Sequence, residues 1–188
     1  MNSSKISKFM DLAGQNKNLS DSEDKKLREL GAQLLLSEVL EYVIKGLKVT
    51  PSFNGTKITD PNALNYESKT ESTDRLEMID GLADVAYTMY WNSEAFKLPL
   101  EEAFEMVCDN NLEKFVQIDS QSSEKNLEEQ SLEKEDWDCG KNISWPSEVA
   151  EVEIIKNQEQ FFAVGKDANG KVRKPSSYKS VDLTTLIK

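Results

Sequence analysis

Leu76-Glu77-Met78-Ile79-Asp80-Gly81-Leu82-Ala83-Asp84-Val85-Ala86-Tyr87 is the stretch that decides how this chain is read. Apolar residues recur in it at helical spacing, which predicts a helix over residues 73–91 with Leu76, Ile79, Ala83, Ala86 and Tyr90 facing inward. Glu77, Asp80 and Asp84 fall at i, i+3 and i+7, one stripe of that helix. Glu38-x-x-Glu41 repeats the pattern in an earlier apolar-periodic stretch, directly after Leu34-Leu35-Leu36. Carboxylates from two antiparallel helices can converge on one point, and an ionised carboxylate near a core is costly unless it is paired or metal-bound. Lys45 is the one obvious cation nearby, so a hard divalent ion, Mg²⁺ or Mn²⁺, is the natural counter-charge. Two plainer readings stand beside this one. Acidic i,i+3 pairs are common on solvated helix faces, and Asp74-x-x-Glu77 also fits a capping box.

Working outward, residues 4–13 read as a short amphipathic helix with Ile6, Phe9 and Met10 on its apolar side. Ser20-Asp21-Ser22-Glu23 matches a capping box opening a long helix to about Leu47, with Leu27, Leu30, Leu34, Val39, Val43 and Leu47 in period. Pro51, Gly55 and Pro61 make residues 50–72 a loop. Pro99 starts a fourth helix, with Glu101 and Glu102 in its favourable first turn, running to about Val116. Residues 117–138, rich in Ser, Glu and Lys, form either a solvated acidic helix or a flexible linker. Beyond them, 152–155, 161–164 and 171–173 are β-prone runs separated by turn chemistry, predicting a small antiparallel meander. The expected fold is mainly α: a four-to-five-helix bundle with a small C-terminal β-meander. The expected division is a helical catalytic core at 1–116, the acidic segment at 117–138, and a tail at 139–188 packing on the core.

Composition narrows the chemistry. The 188 residues carry a formal charge of −11, which argues against nucleic-acid wrapping and anionic membrane surfaces. There is no histidine, so serine–histidine and cysteine–histidine nucleophiles, His-ligated zinc and imidazole acid–base catalysis are all excluded. Cys108 and Cys139 lie far apart without metal-ligand spacing, and read as a buried thiol and an incidental one. No run of signal-peptide or membrane-spanning character is evident, so a soluble cytoplasmic protein is expected.

The carboxylate pairs and their surroundings resemble the MazG-like, all-α nucleoside triphosphate pyrophosphohydrolases, and more closely the branch similar to phosphoribosyl-ATP pyrophosphohydrolase. Glu38-x-x-Glu41 and Glu77-x-x-Asp80 fill that family's signature, and Asp84 falls in a Leu82–Tyr87 run typical of the branch. Lys8-Phe9-Met10 with Ala13-Gly14-Gln15 looks like its opening helix, and Asn110-Asn111-Leu112-Glu113-Lys114-Phe115 resembles its Ser-Asn-Met-Ser-Lys motif. Gly170-Lys171-Val172-Arg173-Lys174-Pro175, with Tyr178 and Val181-Asp182-Leu183, is similar to its tail. Ser37 stands where relatives usually place another glutamate, and Glu113 and Arg173 replace smaller or apolar residues.

The resemblance implies Mg²⁺-dependent hydrolysis of a (d)NTP between its α- and β-phosphates, giving a monophosphate and pyrophosphate. It implies Glu38, Glu41, Glu77 and Asp80 as metal ligands, with Asp84 a further ligand or a partner behind them. Glu41 would contact the attacking water; Lys114 and Lys174 would stabilise phosphate charge; Asn111 and Tyr178 would bind substrate. A homodimer or homotetramer is implied as well. The rival expectations are a non-catalytic acidic helical module that takes a basic partner, and a nucleotide-binding sensor without turnover.

Overall fold

The computed structural model describes residues 2–15, 25–69, 72–118, 131–133, 143–157 and 159–187. They divide into two units, residues 18–75 and residues 1–17 together with 76–188.

In the larger unit the core is built on strands. β3 (Val116–Ile118), β4 (Ser131–Glu133), β5 (Glu151–Asn157) and β6 (Gln160–Lys166) form an antiparallel sheet in the order β3-β6-β5-β4. Alternation along the strands gives the sheet two apolar faces. On one face Val116, Ile118, Val152, Ile154 and Ala163 pack under Trp145 and Val149. On the other, Val164, Ile155 and Phe162 pack against Phe9, Leu12 and Ala13 of α1 (Asn2–Leu12) and against Leu112 and Phe115 at the end of α4 (Leu100–Leu112). The register Ile154↔Ala163 and Ile155↔Phe162 puts like with like across β5 and β6.

Two close approaches fix these layers. Gly165 lies beneath Trp145, where an added Cβ would sit 2.5 Å from the indole ring. Gly14, at φ +63°, ends α1 in the left-handed conformation, with Gln15 N–H donating to the Met10 carbonyl at 2.8 Å. Beside Gly14 the buried Lys166 ammonium pairs with Glu153 at 2.6 Å. Lys5 joins α1 to α4 by reaching Asp109 at 2.7 Å and Glu105 at 3.4 Å.

In the smaller unit α2 (Lys25–Glu41) continues into a π-helical turn, Tyr42–Gly46. A two-stranded hairpin follows, β1 (Ser52–Phe53) and β2 (Thr56–Lys57). Asn54 and Gly55 turn it at φ +49° and +79°, the pair of positive angles that an Asn-Gly hairpin favours. The extended segment after it is tied to α2. Ser68 N–H donates to Glu29 Oε1 at 2.9 Å, Ser68 Oγ to the Lys25 carbonyl at 3.0 Å, and Arg28 Nη2 to the Lys69 carbonyl at 2.8 Å.

The mainly α bundle with one small meander is overturned. The buried core is not a helical one: none of the 22 residues of α3 (Arg75–Phe96) is buried, and Ser37 is the only buried residue of α2. The apolar residues that leave water are mostly on the sheet and on the ends of α1 and α4 that cover it. Periodicity located the helices but misjudged what they bury. Leu76, Ile79 and Tyr90, expected inward, are 74%, 62% and 48% exposed, and on α1 only Phe9 of the expected apolar trio joins the core.

Helix bounds also shift. α3 runs on to Phe96, and α4 stops at Leu112 so that Phe115 and Val116 can enter the core. The expected loop at 50–72 contains the β1–β2 hairpin. Of the acidic stretch 117–138, Gln117 and Ile118 complete β3 and Ser131–Glu133 form β4; the remainder lies outside the described residues, as does the capping box at 20–23.

Candidate functional site

The carboxylates come first. α3 carries Glu77, Asp80 and Asp84 along one stripe, and all three are exposed. Glu77 lies in the first turn, where a negative charge complements the helix dipole whatever else it does. Glu38 and Glu41 on α2 are exposed too, and Glu41 accepts from Lys45 at 3.0 Å, one turn along. The expectation that these acids sit near a core, and so demand neutralisation, does not hold. Solvent already covers the charge that burial would have made costly.

Just after Glu41 the helix widens. Leu47 N–H donates five residues back to the Tyr42 carbonyl at 2.9 Å, the signature of a π turn, a feature often found beside functional residues. Ser37 is buried and its hydroxyl donates to the Leu34 carbonyl at 3.3 Å. A glutamate at this position would place a charge where the chain shields it from water.

Mg²⁺ fits the chemistry of this donor set, since all five candidates offer hard carboxylate oxygens. Among the described residues, no three Asp, Glu or Cys side chains come together as a metal-holding group.

Of the expected substrate residues, Lys174 and Tyr178 lie together. Tyr178 donates its hydroxyl to Asn110 Oδ1, and Asn110 Nδ2 donates to the Lys179 carbonyl at 2.7 Å and to Glu113 Oε2 at 3.2 Å. The tail is thereby pinned to the end of α4. Lys174 Nζ lies 4.8 Å from the centre of the Tyr178 ring, and Lys114 Nζ lies 5.6 Å from that of Phe9. Burial, with a smaller contribution from the negative Glu113, pushes the Tyr178 phenol above its ordinary value, so it remains a donor at neutral pH.

Sequence reasoning named Asn111 here, but the side chain that organises the cluster is Asn110. The two departures at Glu113 and Arg173 also gain roles. Glu113 accepts from Asn110, and Arg173 makes a two-pronged contact to Asp167 through Nη2 at 2.7 Å and Nε at 3.0 Å. Asp167 also accepts the backbone N–H groups of Asn169 and Lys171, so Arg173 braces the turn after β6.

No helix among the described residues is long and apolar enough to cross a membrane. Comparison with protein-family models, with curated proteins and with solved structures gives no match.

Proposed function

We propose that the chain is a Mg²⁺-dependent nucleoside triphosphate pyrophosphohydrolase acting in the cytoplasm as a homo-oligomer. The observation that carries this proposal is α3. Its carboxylate stripe shares a helix with Leu76, Met78, Ile79, Leu82, Tyr87 and Trp91, each at least half exposed, and none of its residues is buried. Exposed apolar side chains in that number suit a helix that is covered by another surface. A second copy covering it would draw the adjacent carboxylates out of bulk water, where they hold a cation more strongly.

When bound, Mg²⁺ would neutralise the triphosphate and polarise the phosphate under attack. The ligands in this proposal are Glu38, Glu41, Glu77 and Asp80, with Asp84 beside them. Glu41 would take the proton of the attacking water as the bond between the α- and β-phosphates breaks and pyrophosphate leaves. Lys114 and Lys174 would offset negative charge on the phosphates, with Tyr178 and Asn111 as hydrogen-bonding partners. Incubation with a panel of ribo- and deoxyribonucleoside triphosphates and Mg²⁺ should release pyrophosphate, and Glu38→Gln with Glu41→Gln should bring release to background without loss of helicity. Folded protein that releases none from any triphosphate overturns the proposal.

A second reading has its own support. Glu77, Asp80 and Asp84 are all exposed along one stripe of α3, as suits an acidic face that docks a basic partner. It predicts tight, salt-sensitive binding of a lysine-rich helical peptide and no dependence on Mg²⁺.

A further inference from the structure

Between Glu41 and Asp60 the chain carries no acidic residue and three lysines, Lys45, Lys48 and Lys57, although its overall charge is −11. Lys45 is paired with Glu41, whereas Lys48 and Lys57 are exposed and make no ion pair among the described residues. The same stretch holds the β1–β2 hairpin, with Phe53 beside its turn 71% exposed and Val49 ahead of it 53% exposed. Backbone bonds brace it: Val49 N–H donates to the Val43 carbonyl at 3.0 Å, and Ile58 N–H to the Pro51 carbonyl at 2.8 Å. Its shape is therefore set before any partner arrives.

α3 shows the same mixture with the opposite charge. Leu76, Asp80, Asp84, Tyr87 and Trp91 follow one another at i+3 or i+4 steps, which makes them a single stripe roughly 22 Å long. Its three apolar members are each more than half exposed. A surface that fits this stripe must bring apolar contact and positive charge together. The exposed leucines of α2 sit beside Glu38 and Glu41, and Phe104 sits among Glu101, Glu102 and Glu105, so both would meet the stripe with like charge. Two α3 helices laid face to face would do the same. The hairpin stretch alone among these brings both properties. A second copy of the chain supplies each surface once, so two copies can pair reciprocally, hairpin to stripe and stripe to hairpin, in a closed two-fold dimer.

We infer that α3 of one copy is covered by the hairpin stretch of a second, with Val49 and Phe53 against Leu76, Tyr87 and Trp91, and with Lys48 and Lys57 beside Asp80 and Asp84. The inference rests on the homo-oligomer in the proposed function and names the surface that meets α3; it does not depend on pyrophosphate release. Apolar burial supplies the affinity in this pairing, and opposite charge selects the partner surface and fixes its register.

The test is the mass of the full chain by light scattering and sedimentation, with EDTA present so that no divalent ion bridges the carboxylates. The wild type should form dimers that weaken as salt is raised. Lys48→Glu with Lys57→Glu, and separately Asp80→Lys with Asp84→Lys, should each weaken association about tenfold or more, because each sets like charges against one another. An equimolar mixture of the two variants should regain the dimer, since the reversed charges match again at both contacts. Phe53→Ser should weaken association about tenfold. All these positions are exposed, and circular dichroism equal to that of the wild type checks that each variant is folded. A wild type that stays monomeric at high concentration overturns the inference and the homo-oligomer together. Wild-type dimers that neither charge reversal weakens, or folded variants that fail to rescue each other when mixed, overturn the inference and leave the homo-oligomer standing. Binding of wild-type monomers to phosphatidylserine vesicles, lost in Phe53→Ser, overturns it as well and assigns the hairpin to a membrane surface.

Discussion

The four-stranded sheet and α3 spend their apolar residues in opposite ways. On the sheet, Val152, Ala163 and Val164 are fully buried, covered on both faces by segments of the same chain. On α3, longer than any strand, large apolar side chains stand in solvent and no residue is buried. The first region is finished by its own sequence. The second is a surface whose stability depends on what it meets, and the carboxylate stripe sits on that second kind of surface.

The contrast can be broken hardest at its closed side. Leu12, 1% exposed where α1 meets the sheet, should lose about 2–5 kcal/mol of stability on replacement by alanine, read by chemical denaturation. Next comes Gly165→Ala, whose methyl would collide with the Trp145 ring. Overpacking at such a site costs about 1–3 kcal/mol, and the additional substitution Trp145→Leu should recover part of it by making room. Tyr178→Phe removes the hydroxyl that holds the tail to Asn110 and should cost about 1 kcal/mol, with faster proteolysis of the tail as a second readout.

The open side should respond in another currency. Leu82→Lys and Ile79→Lys, at 53% and 62% exposure, should change the stability of the isolated chain by no more than about 0.5 kcal/mol. They should nevertheless shift the mass measured by light scattering towards the monomer. A wild-type chain that is monomeric at high concentration would remove the homo-oligomer from the proposal.

The smallest effect is electrostatic and belongs to the other unit. Glu29 accepts the Ser68 N–H and hydroxyl contacts favour its charged form, so its carboxyl is held below the ordinary value of 4.5. A depressed carboxylate stabilises the fold at pH above that value and loses the contribution as pH falls through the lowered one. The amide resonance of Ser68 should therefore move at a pH below that at which an ordinary glutamate titrates, and Glu29→Gln should abolish that titration.

Much of this was legible before any coordinates. The apolar period placed α3 and α4 within a few residues, and the turn chemistry around Asp167-Ala168-Asn169-Gly170 marked the end of β6. Asn54-Gly55 turns a hairpin inside the expected loop, and its flanking strands, two residues each, are too short for alternation to mark them. What a helix buries was not legible. Periodicity states that Leu76 and Ile79 share a face, and says nothing of whether the cover comes from the same chain. The pairing of Ser131 with Glu153 and the seat of Trp145 on Gly165 join distant residues, so no local pattern announces them. The π turn after Glu41 depends on one hydrogen bond reaching a residue further than usual, which composition does not encode.

The positions of two indoles give the chain a built-in pair of optical reporters. Trp145 is sealed in the sheet core at 6% exposure, and Trp91 stands on α3 at 58%. With Trp137 replaced by phenylalanine, a soluble quencher would dim Trp91 first and spare Trp145 until the sheet unfolds. Protection of Trp91 on raising concentration, or on adding a partner, would mark the moment α3 is covered, with Trp145 as the internal standard that the fold is intact.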